Sequence, residues 1–377
     1  MAKSQLADLR SLLVKSLEAI PCLNHAHCCA LINHPSHGNL GDHLIWAAQL
    51  HYLKQVRQLP VRYVASPDLC SHRILERAVD DQPIVLSGGG QVGDQWPRLQ
   101  DFIEHVVDRY RRNPIVIFPQ SLYFQDRSRL QRAASILQRH PDLTLVLRDQ
   151  VSFQFAQSHF SGCHLLLSPD MAFALPIDEL FPAGQIGRLS HPSPPWLALC
   201  RGDREASFTP WLPSLAPWRS LLECTDWLPL ERHWIWGDRR LPLSRHVATG
   251  VRELLQRRLL MPHGALVRHH WLRGLPPEWQ QMAQSSSLHR LSLGMVHEAC
   301  RQIAGRQLVI TDRLHAVILA SLLGVPSLAI DNHTGKIHSF LQTWSSWLPL
   351  ADAVTVDQLP QLLEPFADAC SERAISL

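Results

Sequence analysis

The sequence lacks any apolar stretch long enough to cross a membrane. No charge-free hydrophobic run of about 18 residues occurs in the chain, so we expect no bilayer-spanning segment. Residues 1–20 place leucines at the spacing of an amphipathic helix, with charges between them, and lack the unbroken apolar core of a signal peptide. We expect a cytoplasmic protein, and the sequence leaves peripheral association with a membrane open.

A strong excess of charge is also missing. The chain has 36 Lys and Arg against 33 Asp and Glu, a formal net charge of +3, and no Lys/Arg-rich run with interleaved aromatic residues. Nucleic-acid-binding proteins normally carry such a basic surface, so we expect no nucleic-acid partner. The composition, 46% hydrophobic and 18% charged, is that of an ordinary globular protein.

Disulfide, metal and common nucleotide motifs are absent as well. The nine cysteines are scattered singly apart from Cys28 and Cys29, which is untypical of a disulfide framework and favours a reducing compartment. The histidine pairs at 25 and 27 and at 269 and 270 have no further ligand at metal-site spacing, so we expect no metal. The chain has neither the dinucleotide-binding motif G-x-G-x-x-G nor the P-loop of nucleotidases. It also lacks G-x-S-x-G, the motif of a serine nucleophile in hydrolases.

What the sequence does contain is a regular alternation of short apolar runs and helical patterns. This alternation extends from residue 28 to about 170 and is typical of a parallel sheet wrapped by helices, an α/β fold. A Pro-, Gly- and Ser-rich stretch at 176–196 predicts a domain boundary. We therefore predict an N-terminal domain at 1–180, a C-terminal domain at 195–345 and a closing helix at 346–377, with the Trp- and Pro-rich segment 208–246 unassigned.

The most informative segment joins an apolar strand to a helix near residue 312. Thr311 and Asp312 are good helix caps, and an apolar helix is predicted over 316–323. Arg313 and His315 lie at this junction. The free N–H groups of a helix start bind anions, and a guanidinium adds a permanent charge, so we predict an anion site that contains a proton carrier.

A second arginine follows the first strand of the predicted C-terminal domain. Arg201 precedes Asp203 and Glu205, and a surface salt bridge is the simplest interpretation of this triplet. Alternatively, Arg201 lies at the same sheet edge as Arg313, and the two guanidinium groups hold a dianion together. Two fixed positive charges at a cleft are unfavourable unless a negative group arrives.

The N-terminal half offers weaker candidates at its predicted sheet edge. Asn39 and Asp42 lie at the start of the helix that follows the first predicted strand, and the glycine triplet at 88–90 follows a strand. Each has a purely structural interpretation, as a capped turn or as a turn packed against a strand. Polar residues also follow the next three strands, and this repetition at one edge favours a cleft.

Four motifs taken together resemble the polysaccharide pyruvyl transferase family over about residues 30–345. They are N-L-G-D at 39–42, the glycines at 88–90, R-x-D-x-E at 201–205 and D-R-L-H-A at 312–316. The resemblance implies two Rossmann-like domains facing across a cleft, as in the two-domain GT-B glycosyltransferases. It also implies that phosphoenolpyruvate donates a pyruvyl group to a sugar of a cell-surface polysaccharide or its lipid-linked precursor, forming a ketal and releasing phosphate.

The resemblance also assigns roles to individual residues. Arg201, Arg313 and the N–H of Leu314 would hold the donor's phosphate and carboxylate, with His315 as general acid and base and no metal or other cofactor. The acceptor side would be lined by Asn39, Asp42, Gly88, Gly89 and Gly90.

Two other functions remain open from the residues alone. A nucleotide-sugar glycosyltransferase could use the same arginines and helix start for a diphosphate, and donor preference separates it from pyruvyl transfer. A non-enzymatic scaffold in a polysaccharide export complex would bind no small anion and would tolerate loss of both Arg201 and Arg313.

Overall fold

The computed structural model places most of the chain in two parallel sheets with helices packed against them. The residues that it describes are 2–180, 194–203, 205–207, 210–227 and 275–375. Most of the predicted boundary at 176–196 and of the segment 208–246 lies outside these ranges. Residues 248–259, where the sequence pattern also predicts a helix, and the histidines at 269 and 270 lie outside them as well.

The first half of the chain forms a seven-stranded parallel sheet, which confirms the α/β prediction. Its strands are β1 Cys29–Ile32, β2 Val61–Ala65, β3 Ile84–Leu86, β4 Gly89–Gly93, β5 Ile115–Tyr123, β6 Leu143–Leu147 and β7 His164–Leu167. Their order is β2-β1-β3-β5-β6-β7, with β4 also paired to β5. The strand order reverses between β1 and β3, and ligands of such sheets bind at this kind of reversal.

The second half forms a five-stranded parallel sheet. Its strands are β8 Trp196–Leu199, β9 Leu222–Thr225, β10 Leu308–Thr311, β11 Ser327–Ile330 and β12 Ala351–Val354. The order is β12-β11-β10-β8-β9, which reverses between β10 and β8. The residues that follow these two strands, Arg201 and Arg313 among them, therefore lie at the reversal.

Helices cover both sheets. They are α1 Ala2–Glu18, α2 Pro21–His25, α3 Leu40–His51, α4 His72–Val79, α5 Pro97–Arg109, α6 Arg127–Leu137, α7 Gln150–His159, α8 Ile177–Leu180, α9 Pro277–Ser285, α10 Ser287–Ile303, α11 Leu314–Leu322, α12 Lys336–Trp344 and α13 Leu359–Ile375. The apolar stripe predicted in α1 is buried. The prediction of a purely helical 346–377 is wrong, because this range also contains β12. Within the described ranges, no helix has the length and apolar character needed to cross a membrane.

One apolar core is shared by the two sheets. It includes Leu31 and Phe118 of the first sheet together with Leu197 and Val309 of the second. Helix α3 of the first half packs on α10 of the second half. The two halves are therefore in direct apolar contact, and the space left between them lies at the carboxyl ends of their strands.

Polar groups are buried inside the α3–α10 interface. Ser292 Oγ of α10 lies 2.9 Å from Nε2 of His34 and 2.9 Å from Nδ1 of His43. His43 Nε2 also lies 2.8 Å from the carbonyl oxygen of His37. Burial lowers the pKa of His43 to about 4, so its ring is neutral at physiological pH.

Candidate active site

A cavity of about 720 Å³ lies where the carboxyl ends of the two sheets approach each other. Its walls come from segments that follow β1, β6, β8, β9, β10 and β11, and from β4. The predicted site residues that line it are Asn39, Asp42, Gly90, Arg201, Arg313, Leu314 and His315. The structure thus brings together candidates from four separate motifs.

Gly88 and Gly89, which were predicted to line the acceptor side, are not among the residues that line the cavity. Gly88 lies against the backbone of β5, where an added Cβ would stand 2.8 Å from the carbonyl oxygen of Pro119. Gly89, at φ +132°, lies behind Asp42, whose Oδ1 would be 3.6 Å from an added Cβ. Close packing explains glycine at position 88, and a backbone conformation that L side chains rarely adopt explains it at 89.

The start of α11 differs from the predicted capping. The helix begins at Leu314, and neither Thr311 nor Asp312 caps it. Thr311 Oγ1 accepts from the backbone N–H of Arg313 at 3.0 Å, and Asp312 Oδ1 accepts from the backbone N–H of Arg201 at 2.8 Å. Asp312 therefore ties the end of β8 to the end of β10. The N–H groups of Leu314 and His315, at the first two helical positions, have no acceptor within the helix and can meet an anion.

Arg201 forms a buried ion-pair cluster. Its Nε donates to Asp203 Oδ1 at 2.9 Å, its Nη2 to Asp203 Oδ2 at 2.8 Å, and its Nη1 lies 2.8 Å from Glu205 Oε2. The Arg201 side chain is only 5% exposed, so the interpretation of Arg201, Asp203 and Glu205 as a surface salt bridge is wrong. Burial opposes its charge, but Glu205 and Asp203 raise the pKa of Arg201 above its usual value.

Arg313 is likewise paired with carboxylates. Its Nε donates to Asp226 Oδ1 at 2.6 Å, and its Nη2 lies 3.7 Å from Asp203 Oδ2. Both guanidinium groups therefore have carboxylate partners within the protein. Asp226 was not among the residues predicted from the sequence, because it follows β9 within the segment left unassigned. A recurring acidic residue directly after a short strand was the available signal.

Two further cations, Arg148 and Lys336, line the cavity beside Gly90. Lys336 opens α12, and its Nζ contacts the Glu205 carboxylate. Burial lowers the pKa of Lys336, and Glu205 opposes this effect. An added Cβ on Gly90 would stand 3.5 Å from Arg148 Nη2 and 3.6 Å from Lys336 Nζ. Glycine at position 90 therefore leaves space between two cationic groups.

His315 joins the N-terminal and C-terminal motifs. An added Cβ on Gly41 would stand 2.5 Å from Nδ1 of His315, so the N-L-G-D turn packs directly on the imidazole ring. On the other side of the ring, Nε2 lies 3.3 Å from Arg148 Nη1 and 3.4 Å from Asp170 Oδ2. The histidine, from the second half of the chain, is thus enclosed by residues of the first half.

Asp170 is fully buried and carries a charge. Burial alone would raise the pKa of its carboxyl group, but His315, Arg148 and the N–H of Ala172 lower the pKa well below its usual value. Arg148 Nη1 donates to Asp170 Oδ2 at 2.7 Å. The sequence pattern predicts polar residues at 148–149 and 168–170 after strands at the sheet edge, but it does not connect Arg148 or Asp170 to His315.

Hydrogen-bonding and aromatic groups also line the cavity. Asn39 caps α3 through its contact with the N–H of Gly41 at 3.3 Å, and its Nδ2 donates to Asp42 Oδ2 at 2.9 Å. Trp96 and Trp227 also line the cavity, and Trp96 Nε1 donates to Glu205 Oε1 at 3.1 Å. Aromatic faces beside carboxylate and amide groups suit a sugar ring.

Comparison with known proteins identifies the family. The model of the family described as polysaccharide pyruvyl transferase matches residues 39–228 and 285–334. The chain is 28% identical over 351 residues to a putative pyruvyl transferase, EpsO, of Bacillus subtilis, covering 92% of this chain and 94% of that protein. It is 28% identical over 344 residues to pyruvyl transferase 1 of Schizosaccharomyces pombe, covering 89% of this chain and 74% of the relative.

A solved structure shares the fold. The crystal structure of a functionally uncharacterised protein of Klebsiella pneumoniae matches with a TM-score of 0.55 at 15% sequence identity, covering 92% of this chain and 99% of that chain. The family match spans more than half of the chain and includes all four motifs. The chain therefore belongs to the polysaccharide pyruvyl transferase family.

Proposed function

We propose that the protein transfers the pyruvyl group of phosphoenolpyruvate onto a sugar of a cell-surface polysaccharide or its lipid-linked precursor. The observation that carries this proposal is a histidine that shares one cavity with four cationic side chains from both halves of the molecule. Phosphoenolpyruvate carries a phosphate and a carboxylate on the same carbon atom, so it needs several cations around a proton donor.

The reaction requires one proton to reach the methylene carbon of the donor. His315 supplies it, and a sugar hydroxyl attacks the resulting electron-poor carbon while its own proton returns to the histidine. A second hydroxyl then closes the ketal, the bond to phosphate breaks, and the second hydroxyl's proton leaves with the phosphate. The atoms balance without an oxidant, a reductant or a cofactor.

The donor's anionic groups lie on either side of His315 in this proposal. Arg201, Arg313 and the N–H of Leu314 hold one side, as the family resemblance implies. Arg148 and Lys336 hold the other, because Gly90 leaves space between them. The carboxylates that pair with these cations keep the guanidinium planes oriented before the donor arrives.

The acceptor sugar lies toward the first half of the chain. Asn39 and Asp42 offer hydrogen-bonding groups, and Trp96 offers an aromatic face. In this arrangement residues 1–180, apart from Arg148, form the acceptor side of a GT-B-like cleft, and residues 195–345 form the donor side. All nine cysteines are free thiols, which fits a reducing compartment such as the cytoplasm, with any membrane contact peripheral.

Donor binding is tested by thermal unfolding with phosphoenolpyruvate or nucleotide sugars, without added metal. We expect phosphoenolpyruvate to raise the melting temperature, since a ligand at 100 times its Kd stabilises the native state by about 2.7 kcal/mol. Lys336→Met should lose most of this shift. Lys15→Met, which removes an exposed lysine from α1, is the matched control and should keep it.

The same measurement separates the alternatives. A shift with nucleotide sugars alone would make the protein a glycosyltransferase, and no shift with any of these anions would favour the scaffold. Phosphate release that depends on both phosphoenolpyruvate and a saccharide, with a pyruvate ketal in the product, completes the test.

A further inference from the structure

The two ring nitrogens of His315 have different surroundings. Nε2 faces Arg148 Nη1 at 3.3 Å and Asp170 Oδ2 at 3.4 Å, and both of these side chains are at most 1% exposed. Nδ1 lies beside Gly41 and has no hydrogen-bond partner in the part of the chain that the structure describes. Since His315 lines the cavity, Nδ1 is the nitrogen left for a ligand.

The groups around Nε2 are held in place. Arg148 Nε donates to Ser121 Oγ at 2.9 Å, and Ser121 Oγ donates to Asp149 Oδ2 at 2.6 Å. Asp170 Oδ1 accepts from the N–H of Ala172 at 2.8 Å. A guanidinium and a carboxylate that are both buried and both hydrogen-bonded cannot turn away from the imidazole without leaving a buried charge unpaired.

The charges of Arg148 and Asp170 determine whether Nε2 of His315 carries a proton. Arg148 can only donate, so it favours a bare Nε2, whereas Asp170 can only accept, so it favours Nε2–H. Arg148 makes its shorter bond, 2.7 Å, to Asp170 itself. Because Asp170 is charged, it also offsets the repulsion that Arg148 would exert on a protonated histidine.

We propose that Asp170 is a positioning residue that holds the Nε2–H tautomer of His315, so that Nδ1 exchanges the proton with substrate. This inference rests on the proposed function. In the acidic form both nitrogens carry hydrogen, and Nδ1–H gives its proton to the donor's methylene carbon. Nε2–H then remains on Asp170, and the free lone pair of Nδ1 accepts the proton of the attacking sugar hydroxyl.

Other charged groups act on His315 from greater distance. Arg313 precedes it by two residues on the same turn. Around the rest of the cavity stand His37, Asp42, Arg201, Asp203, Glu205 and Lys336. None of these replaces Asp170 at Nε2, so their effect on the pH profile is common to the wild type and to an Asp170 variant.

Asp170→Asn is the variant that tests this role. An amide NH₂ turned toward Nε2 would favour the opposite tautomer, with the proton on Nδ1, and a comparable change in a Ser-His-Asp triad lowers kcat by about 10⁴. We expect kcat to fall at least 100-fold with KM for phosphoenolpyruvate changed less than threefold. The pH profile of kcat should also shift, because the carboxylate that faces Nε2 is gone.

Asp352→Asn is the matched control, since it removes an exposed carboxylate from β12. It should change neither kcat nor the pH profile. An Asp170→Asn enzyme with unchanged kcat and an unshifted profile would overturn the proposal, and so would a loss confined to KM.

A second measurement needs neither the variant nor activity. Two-bond ¹⁵N–¹H spectra of the histidine-labelled wild type distinguish the two neutral tautomers, and His315→Gln identifies the resonance. We expect Nε2–H, and observation of Nδ1–H in the ligand-free protein would overturn the inference. A wild type with this tautomer but no pyruvyl transfer would contradict only the proposed function, so the two failures are distinguishable.

Discussion

At the scale of single residues, two glycines shape the site because they have no side chain. Gly41 leaves the space that the His315 ring occupies, and Gly90 leaves the space between Arg148 and Lys336. The steric clash that an added Cβ would cause differs between the two positions. A Cβ at 41 would stand 2.5 Å from an imidazole nitrogen, whereas a Cβ at 90 would make ordinary contacts at 3.5 and 3.6 Å. Position 41 therefore controls where the histidine lies, and position 90 controls what fits beside the cations.

Gly41→Ala should displace His315 while leaving the protein folded. The added methyl cannot coexist with the present ring position, and a shift of about 1 Å in a reacting group can lower the rate about 100-fold. We expect a kcat decrease of roughly this size, measured by phosphate release, with a small change in melting temperature.

Gly162→Ala is the control for this change. It adds the same methyl at a surface turn, where the nearest atoms belong to the side chain of Gln138. A Gly41→Ala enzyme with wild-type kcat would show that the ring position does not matter for turnover, and the assigned role of His315 would fail with it.

The sequence predicted the positions of the site residues better than their pairing. Arg201, Arg313 and His315 follow apolar runs directly, so their place at the sheet edge follows from local pattern. Their partners Asp226 and Asp170 come from distant elements, and no local pattern specifies a contact across 87 or more residues.

At the scale of elements, the α3–α10 interface makes stability depend on pH. Burial lowers the pKa of His43 to about 4 and that of His289 to about 3. Both values lie below the ordinary value of about 6.5 expected in the unfolded chain. As pH falls below about 6.5, the unfolded state takes up protons that the native state does not, so stability present at neutral pH is lost.

His43→Asn should reduce this pH dependence. Each such histidine contributes a slope of about 1.4 kcal/mol per pH unit between its unfolded and folded pKa. Denaturant unfolding at pH 7, 6 and 5 should therefore show a shallower loss of unfolding free energy in the variant than in the wild type. His25→Asn, at an exposed position of α2, should keep the wild-type slope. Equal slopes in all three proteins would contradict the buried, neutral state of His43.

The strands were predictable where they are buried on both faces. Strands β6 and β10 are apolar apart from one threonine each, and all of their residues are buried. Strand β12 was missed because it is short and half exposed at the edge of its sheet, with Asp352 inside it. Its identity depends on parallel pairing with β11, which is a tertiary contact that the sequence alone does not display.

At the scale of the whole molecule, the two halves are more closely joined than two separate domains would be. Besides the shared core, α1 contacts both halves. Arg10 of α1 donates to the carbonyl oxygens of Phe173 and Leu175, and Gln5 donates to that of Ser346. Two domains are predicted from the sequence for two reasons: 377 residues are more than one compact core usually spans, and a Pro-, Gly- and Ser-rich stretch divides the chain. Neither signal reports how much apolar surface the two sheets bury against each other.

A buried substitution far from the second half should therefore destabilise both halves. Leu137 ends α6 and is fully buried in a cluster formed by the first half alone. Leu137→Ala should cost about 2 to 5 kcal/mol, and native-state hydrogen exchange should show this loss equally at β6 and at β10. Leu362→Ala, at a side chain 38% exposed on α13, should change neither.

If protection fell at β6 and stayed unchanged at β10, the halves would unfold independently. The histidine that the first half encloses would then be free to separate from Asp170 without global unfolding, and opening of the cavity would be a motion between domains. Equal loss at both strands means that the site opens only by smaller, local movements.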